Sequence, residues 1–163
     1  RVAETGAIVE HILDTHGNGR LRPPPRTPEG RRFTYWLHYA EGSAMPPLLL
    51  SLIFRRMRSA PAPFFARPIV RKLADKVMAS FVSPQLALHM AWIESELARH
   101  PYFAGEAFSA ADIQMGFPLE AAAARGAVTP EAHPAIHAWL ARVQARPAYQ
   151  RAQAKAGATA PLG

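Results

Sequence analysis

Apolar side chains recur along most of the chain at the three-to-four-residue spacing of an α-helix, separated by short segments rich in proline and glycine. The first apolar stretch runs from Glu4 to Gly17, and a glycine after the last apolar position is a typical helix C-cap. Residues 20–28, which hold four prolines and three arginines, predict an extended linker. Thr27 and Pro28 then form a typical helix start, with threonine as the N-cap and proline in the first turn.

Prolines divide the rest of the chain into further predicted helices. Pro46 and Pro47 must kink or interrupt the helix that begins at Pro28, because neither has a backbone N–H to donate. Pro84 falls inside a later apolar stretch, where the sequence leaves a kink and a short break both open. The remaining helices are predicted at 48–57, 68–99, 109–125, 134–145 and 149–155. No stretch alternates like a β-strand, so the predicted fold class is all-α.

The composition is that of a folded domain. The hydrophobic fraction is 49%, with 8 Phe, 4 Tyr and 3 Trp, which is enough for a core. The chain has no cysteine, which excludes disulfides, cysteine-ligated zinc and a cysteine nucleophile within it. The longest apolar run, 45–54, is too short to cross a bilayer, which takes about 20 residues. Nothing at the start resembles a signal peptide, and we expect a cytoplasmic protein.

The net charge of +7 raises the question of an anionic partner. The basic residues include a cluster at 55–58, together with Arg67, Arg71 and Lys72. A nucleic-acid surface would interleave aromatic residues or belong to a known module, and neither is evident, so the sequence favours a solvated surface. We therefore expect neither nucleic acid nor membrane as a partner. His133 and His137 have metal-ligand spacing but no evident third ligand, so no metal site is predicted.

The segment 101–113 carries the strongest local signal in the chain. Ser109 stands at a helix N-cap position and Asp112 three residues later, which is the spacing of a capping box. Phe108 and Ile113 have the spacing of the accompanying hydrophobic staple. A capping box is common in helical proteins and indicates structure rather than function.

Three segments of the chain resemble segments of the glutathione transferase family, and they occur in the same order along the chain as in the family. Residues 101–113 (PYFAGEAFSAADI) are similar to the stretch that follows the family's long fifth helix. Residues 4–13 (ETGAIVEHIL) resemble the Glu-Ser-x-Ala-Ile start of the last helix in its thioredoxin-like domain, with Thr5 in place of serine. Residues 36–45 (WLHYAEGSAM) resemble the fourth helix of bacterial members. Together the resemblance extends from Val2 to about Tyr149.

The resemblance implies a glutathione-transferase C-terminal-like bundle of about six helices. Residues 1–20 would be the remnant last helix of the thioredoxin-like domain, and 21–163 the helical domain. The remainder of the thioredoxin-like domain, with the serine, tyrosine or cysteine that activates the thiol, is expected upstream of residue 1. This chain alone is therefore expected to be inactive.

The implied activity is conjugation of glutathione to small apolar electrophiles, or a related glutathione-dependent reaction, with a role in detoxification. Glutathione is then a substrate and no cofactor is needed. Family members are usually dimers, so a homodimer is expected. The alternative is a non-catalytic protein-interaction module with the same fold.

The resemblance also assigns candidate site residues. Glu4 and Thr5 would bind the γ-glutamyl end of glutathione, although both residue types are also ordinary at a helix start. An electrophile pocket would be lined by one face of the fourth helix, and the alternative is a second packed or solvated face. His38, Glu41, Gly42 and Met45 share that face at i, i+3, i+4 and i+7, and Tyr39 is a further candidate beside it. His38 and Met45 occupy positions where beta-class members have Asn and His, so beta-class thiol chemistry is not expected.

Overall fold

The computed structural model of the protein describes residues 1–156. The regular secondary structure of these residues is helical, apart from one isolated bridge between Tyr102 and Gly105, and the predicted all-α class is confirmed. The α-helices are α1 (Thr5–His16), α2 (Pro28–Tyr39), α3 (Met45–Ser59), α4 (Arg67–Val77), α5 (Ser83–Leu97), α6 (Ala110–Ala124), α7 (Pro134–Gln144) and α8 (Pro147–Ala156). None of these helices is long and apolar enough to span a membrane.

Two π-helical segments, Ala40–Ala44 and Met78–Val82, join α2 to α3 and α4 to α5. In each, a backbone N–H bonds five residues back, from Met45 to Ala40 and from Ser83 to Met78. The prolines at 46, 47 and 84 follow directly. In a regular α-helix a proline ring would clash with the carbonyl four residues earlier and leave it without an N–H donor. A π turn displaces these carbonyls, so the helix can continue through the prolines. Of the kink and the interruption that the sequence leaves open, the interruption does not occur, and each site is a local widening within a long continuous helix.

The linker between α1 and α2 is hydrogen-bonded to α2 and to α6. At its end, the Thr27 hydroxyl accepts a 3.0 Å hydrogen bond from the Gly30 N–H, which is the predicted N-cap. In its middle, the Leu21 carbonyl accepts a 2.8 Å bond from the Ala110 N–H at the start of α6. The linker thus positions α1 beside α6.

Helix α6 lies at the centre of the core, between α2 and α7. Its residues Ala111, Asp112, Met115 and Leu119 are fully buried. The aromatic rings of Trp36, Phe103 and Trp139 pack against one another across this centre, with ring centroids 4.6 Å and 5.1 Å apart in successive pairs, the first tilted and the second edge to face. Apolar burial of this kind is the main stabilising term of the fold.

The apolar residues of α1 and α4 are less buried than their periodicity suggests. On α1, Leu13 is buried while Ile8 and Ile12 remain exposed. On α4, the residue that packs inward is Ala74, and Ile69 and Leu73 face outward. Both segments are helices, as their apolar periodicity predicts, but many of the apolar side chains that define the periodicity are exposed to solvent.

Candidate functional site

The first turn of α1 combines backbone strain with uncapped amides. Glu4 has φ +70° and ψ 125°, a conformation that non-glycine residues adopt rarely and at a cost of about 1–3 kcal/mol. No side chain accepts a hydrogen bond from this helix start, and Glu4 and Thr5 are both exposed. Free amide donors and the positive end of the helix dipole make such a turn suited to a carboxylate.

The face formed by α2 and the first π segment is divided between solvent and α6. His38, Glu41 and Gly42 are exposed, and Met45 is half-buried against the core. Oε1 of Glu41 accepts a 2.9 Å hydrogen bond from Nε2 of Gln114 on α6. Gln114 is itself buried. The sequence pattern does not identify it, because its only signal is a polar residue in the middle of a mostly apolar helix.

Tyr39 differs from the other predicted pocket residues because its side chain points into the bundle. Its hydroxyl is hydrogen-bonded to Nδ1 of His89 on α5. Burial, with a smaller contribution from the neighbouring Tyr35, raises the pKa of Tyr39 well above its usual range. Burial also lowers the pKa of His89. The pair is therefore neutral, with the phenol donating to the imidazole, and it joins α2 to α5.

Ser109 and Asp112 form a capping box at the start of α6. Oδ2 of Asp112 accepts hydrogen bonds from the N–H and the hydroxyl of Ser109, at 2.9 and 3.0 Å. Oδ1 accepts from the Phe103 N–H and the Trp139 indole, both at 3.0 Å. Burial raises the pKa of Asp112, and these four donors oppose that shift. The box is a structural device in the core. The predicted staple partner Ile113 is exposed.

Two cavities lie beside α6 and the linker. The larger, about 720 Å³, is formed by the linker, the start of α2 and the turn before α6. The smaller, about 330 Å³, lies between α6 and α8, and the Arg146 guanidinium at its edge sits 3.7 Å from the Phe108 ring centre. Both cavities lie apart from the predicted electrophile face, because residues 38–45 line neither.

His133, which precedes α7, has a partner within the chain. Its Nδ1 accepts a hydrogen bond from the Thr129 N–H at 3.4 Å. Within residues 1–156, no group of three or more His, Cys, Asp or Glu side chains is placed to hold a metal ion.

Comparison with known proteins identifies the family. The family model for the C-terminal domain of glutathione S-transferase matches residues 50–147. The chain is 30% identical over 158 residues to Glutathione S-transferase 1 of Saccharomyces cerevisiae, covering 96% of this chain and 68% of the relative. The chain belongs to the glutathione S-transferase family. It is also 32% identical to Glutathione S-transferase 3 of Schizosaccharomyces pombe, over 93% of this chain and 62% of that protein.

Solved structures share the fold. A sphingomonad glutathione S-transferase complexed with glutathione matches 98% of this chain and 69% of its own, with 26% identity and a TM-score of 0.72. Ure2p5 from Phanerochaete chrysosporium, cocrystallised with 1-(S-glutathionyl)-2,4-dinitrobenzene, matches 99% of this chain and 72% of its own, with 19% identity and a TM-score of 0.73. The chain therefore spans 62% to 72% of the length of these relatives.

Proposed function

We propose that the intact protein is a glutathione transferase that conjugates glutathione to small apolar electrophiles, or carries out a related glutathione-dependent reaction. The observation that carries this proposal is the similarity, over nearly the whole chain, to two proteins named glutathione S-transferase. In this proposal residues 1–20 are the last helix of a thioredoxin-like domain and 21–163 form the helical domain, of which 157–163 lie outside the described range. The residue that activates the thiol belongs to the thioredoxin-like domain.

Glutathione would bind with its γ-glutamyl end at the start of α1. The γ-glutamyl α-carboxylate would accept hydrogen bonds from the Thr5 N–H and hydroxyl, and the Glu4 carboxylate would pair with the ammonium group. The positive φ of Glu4 and the absence of any side-chain cap on this turn support the assignment. Strained backbone of this kind is concentrated at ligand-binding sites.

The electrophile would lie against the π segment after α2. His38, Glu41, Gly42 and Met45 would line this part of the pocket, with Met45 supplying an adaptable apolar contact. The bond from Gln114 to Glu41 supports a defined position for that carboxylate. For Tyr39 we propose a positioning role, because its hydroxyl is engaged by His89 and its ring is buried.

A homodimer would use the exposed apolar surface of α2 and α5. Trp92 and Tyr35 lie side by side there, joined by a 3.1 Å hydrogen bond from the indole to the phenol, and Leu88 is one turn away from Trp92. All three are exposed large side chains, which are common at protein interfaces. Light scattering of the parent and of Leu88→Arg tests this, with a shift from dimer to monomer expected.

We further propose a cytoplasmic detoxification role in a bacterial host.

The activity is tested with the full-length protein, using glutathione and a chlorinated nitrobenzene. The expected result is conjugation well above the uncatalysed rate. A protein that binds glutathione but does not turn over would instead be the non-catalytic module. A protein that neither binds nor reacts would refute both the transferase and its glutathione site.

A further inference from the structure

Most of the net charge of the chain lies on one helical hairpin. Residues 55–76, which we call the basic hairpin, comprise the end of α3, a loop and nearly all of α4. They include seven Lys or Arg and one acidic residue, a net charge of +6 against +7 for the whole chain. The rest of the protein is therefore almost neutral, so the charge is not a general property of the composition. Its basic residues are Arg55, Arg56, Arg58, Arg67, Arg71, Lys72 and Lys76.

The same hairpin exposes large apolar side chains. Phe64 and Phe65 in the loop are 84% and 67% exposed, and their rings meet edge to face at 5.6 Å. Ile69 and Leu73, one turn apart on the adjoining helix, are 70% and 55% exposed. The fully buried residue of this helix is the small Ala74. Moving apolar side chains this exposed out of water lowers the free energy.

The two helices of the hairpin pack on each other, and two polar contacts add to this order. Nε of Arg58 on α3 pairs with Asp75 on α4 at 3.0 Å, and Nε of Arg67 donates a 2.9 Å bond to the Ala62 carbonyl. These contacts join the two helices and hold the loop that carries the phenylalanines. The apolar and basic groups are therefore presented together before any partner arrives.

We infer that the basic hairpin docks on the surface of a bilayer that contains anionic phospholipids. Phe64 and Phe65 would enter the boundary between headgroups and acyl chains, with Ile69 and Leu73 following along α4. The surrounding Arg and Lys side chains would pair with phosphate and carboxylate groups. Exposed aromatic and aliphatic side chains beside a basic helix face are the combination that interfacial helices use.

Two other occupants fit the hairpin less well. A second copy docked hairpin to hairpin would bring two surfaces of charge +6 together, and like charges oppose such contact. A single-stranded nucleic acid could stack bases on the phenylalanine rings. The exposed aliphatic side chains of Ile69 and Leu73 would gain little from bases and phosphates, whereas an acyl boundary removes them from water.

This inference is independent of the proposed transferase activity. The basic hairpin contains none of the residues assigned to glutathione or to the electrophile. It does revise the expectation, drawn from the sequence, that no membrane is a partner. That expectation weighed the basic residues without Phe64 and Phe65, which the fold places among them.

The test is co-sedimentation of the full-length protein with vesicles of phosphatidylcholine, with and without phosphatidylserine. We expect binding only when phosphatidylserine is present, weakening as salt is raised. Arg71→Gln with Lys72→Gln removes two exposed charges and should weaken binding about thirtyfold, since each basic residue near such a surface contributes about 1 kcal/mol. The matched control is Arg151→Gln with Lys155→Gln, two exposed charges on α8. It should bind like the parent.

A second pair of substitutions tests the contribution of the apolar side chains. Phe64→Ser with Phe65→Ser should weaken binding at least about tenfold, because the inserted rings are lost. Both side chains are exposed, so the fold should be retained. Phe117→Ser, on α6, removes an exposed ring elsewhere and should have no effect.

Three results would overturn the inference. The first is failure of the parent to bind vesicles containing phosphatidylserine. The second is binding that the phenylalanine or charge variants leave unchanged. The third is preference for single-stranded DNA over vesicles when both are offered, with the same variants abolishing DNA binding, because the hairpin would then be a nucleic-acid surface.

Discussion

The indole N–H of Trp139 on α7 donates a 3.0 Å hydrogen bond to Oδ1 of Asp112, the first-turn residue of the α6 capping box, across 27 positions of sequence. The same oxygen accepts the Phe103 N–H from the turn before α6. One carboxylate therefore joins a helix start, a turn and a neighbouring helix within the core. Buried polar groups are tolerated when they are satisfied in this way, and their loss is costly.

Asp112→Asn should destabilise the protein by about 2–4 kcal/mol. Each carboxylate oxygen of Asp112 accepts two hydrogen bonds. Whichever oxygen is replaced by the amide nitrogen, the groups that donated hydrogen bonds to it then face another donor in a buried site. Each donor left unsatisfied costs about 1–3 kcal/mol. Ser109→Ala should cost less, about 1–2 kcal/mol, because it removes one hydroxyl of the cap. The midpoint of urea denaturation measures both effects.

The matched control is Asp75→Asn. Asp75 is a half-exposed carboxylate whose partner is Arg58 on the surface, and such pairs contribute at most about 1 kcal/mol. If Asp112→Asn proved as mild as this control, the carboxylate would not be the buried junction described above.

Gly30→Ala and Gly116→Ala should change stability in opposite directions. A Cβ at residue 30 would lie 2.4 Å from the carbonyl oxygen of Pro24 in the linker, which is backbone and cannot move aside easily. We expect a loss of about 1–3 kcal/mol from this overpacking. A Cβ at residue 116 would meet nothing within 4 Å, so replacing this helical glycine should stabilise the protein by up to about 1 kcal/mol. Thermal denaturation compares the two, and equal shifts would mean that the linker does not pack on α2.

The Tyr39–His89 pair should make the protein less stable in mild acid. The folded-state pKa of His89 lies below its ordinary value of 6.5, because burial disfavours the charged imidazole. The stabilisation that this neutral imidazole brings is complete above pH 6.5 and is lost as the pH falls through the folded-state pKa. Unfolding followed from neutral to mildly acidic pH should show this loss.

The variant His89→Gln isolates that effect. Glutamine can still accept a hydrogen bond from the Tyr39 hydroxyl but does not titrate, so its stability should fall less with acid than that of the parent. His11→Gln changes an exposed histidine on α1 and should retain the parent's pH dependence. Identical slopes for the parent and His89→Gln would exclude a contribution from the pair.

The sequence predicts those features of the fold that depend on near neighbours. Ser109 and Asp112 are three positions apart, so their capping box follows from local spacing alone. The further donors to Asp112 come from Phe103 and Trp139, and no local pattern indicates them. The prolines at 46, 47 and 84 predict that helices are disturbed, but whether the result is a break or a π turn depends on how the neighbouring helices pack.

The sequence likewise predicts only part of the candidate site. Resemblance assigned His38 and Tyr39 to one pocket, but adjacent helix positions point about 100° apart, and the structure turns Tyr39 into the bundle. Gln114 lies far along the chain from Glu41 and is brought to it by packing of α2 on α6. For Ile69 and Leu73, periodicity predicts a helix with an apolar face and contains no information about what covers that face.

The assignment of Thr5 makes a sharp prediction for glutathione affinity. If its hydroxyl donates to the γ-glutamyl carboxylate, Thr5→Ala in the full-length protein removes a hydrogen bond to a charged group. Such a bond contributes about 1.5–3 kcal/mol, so binding should weaken roughly ten- to a hundredfold. Thr5→Ser keeps the hydroxyl and should bind almost as tightly as the parent. Calorimetric titration with glutathione measures all three, and circular dichroism checks that each is folded. Because Thr5 is exposed and no side chain caps this turn, neither variant should unfold the protein. A folded Thr5→Ala protein with parental affinity would show that glutathione does not use this hydroxyl.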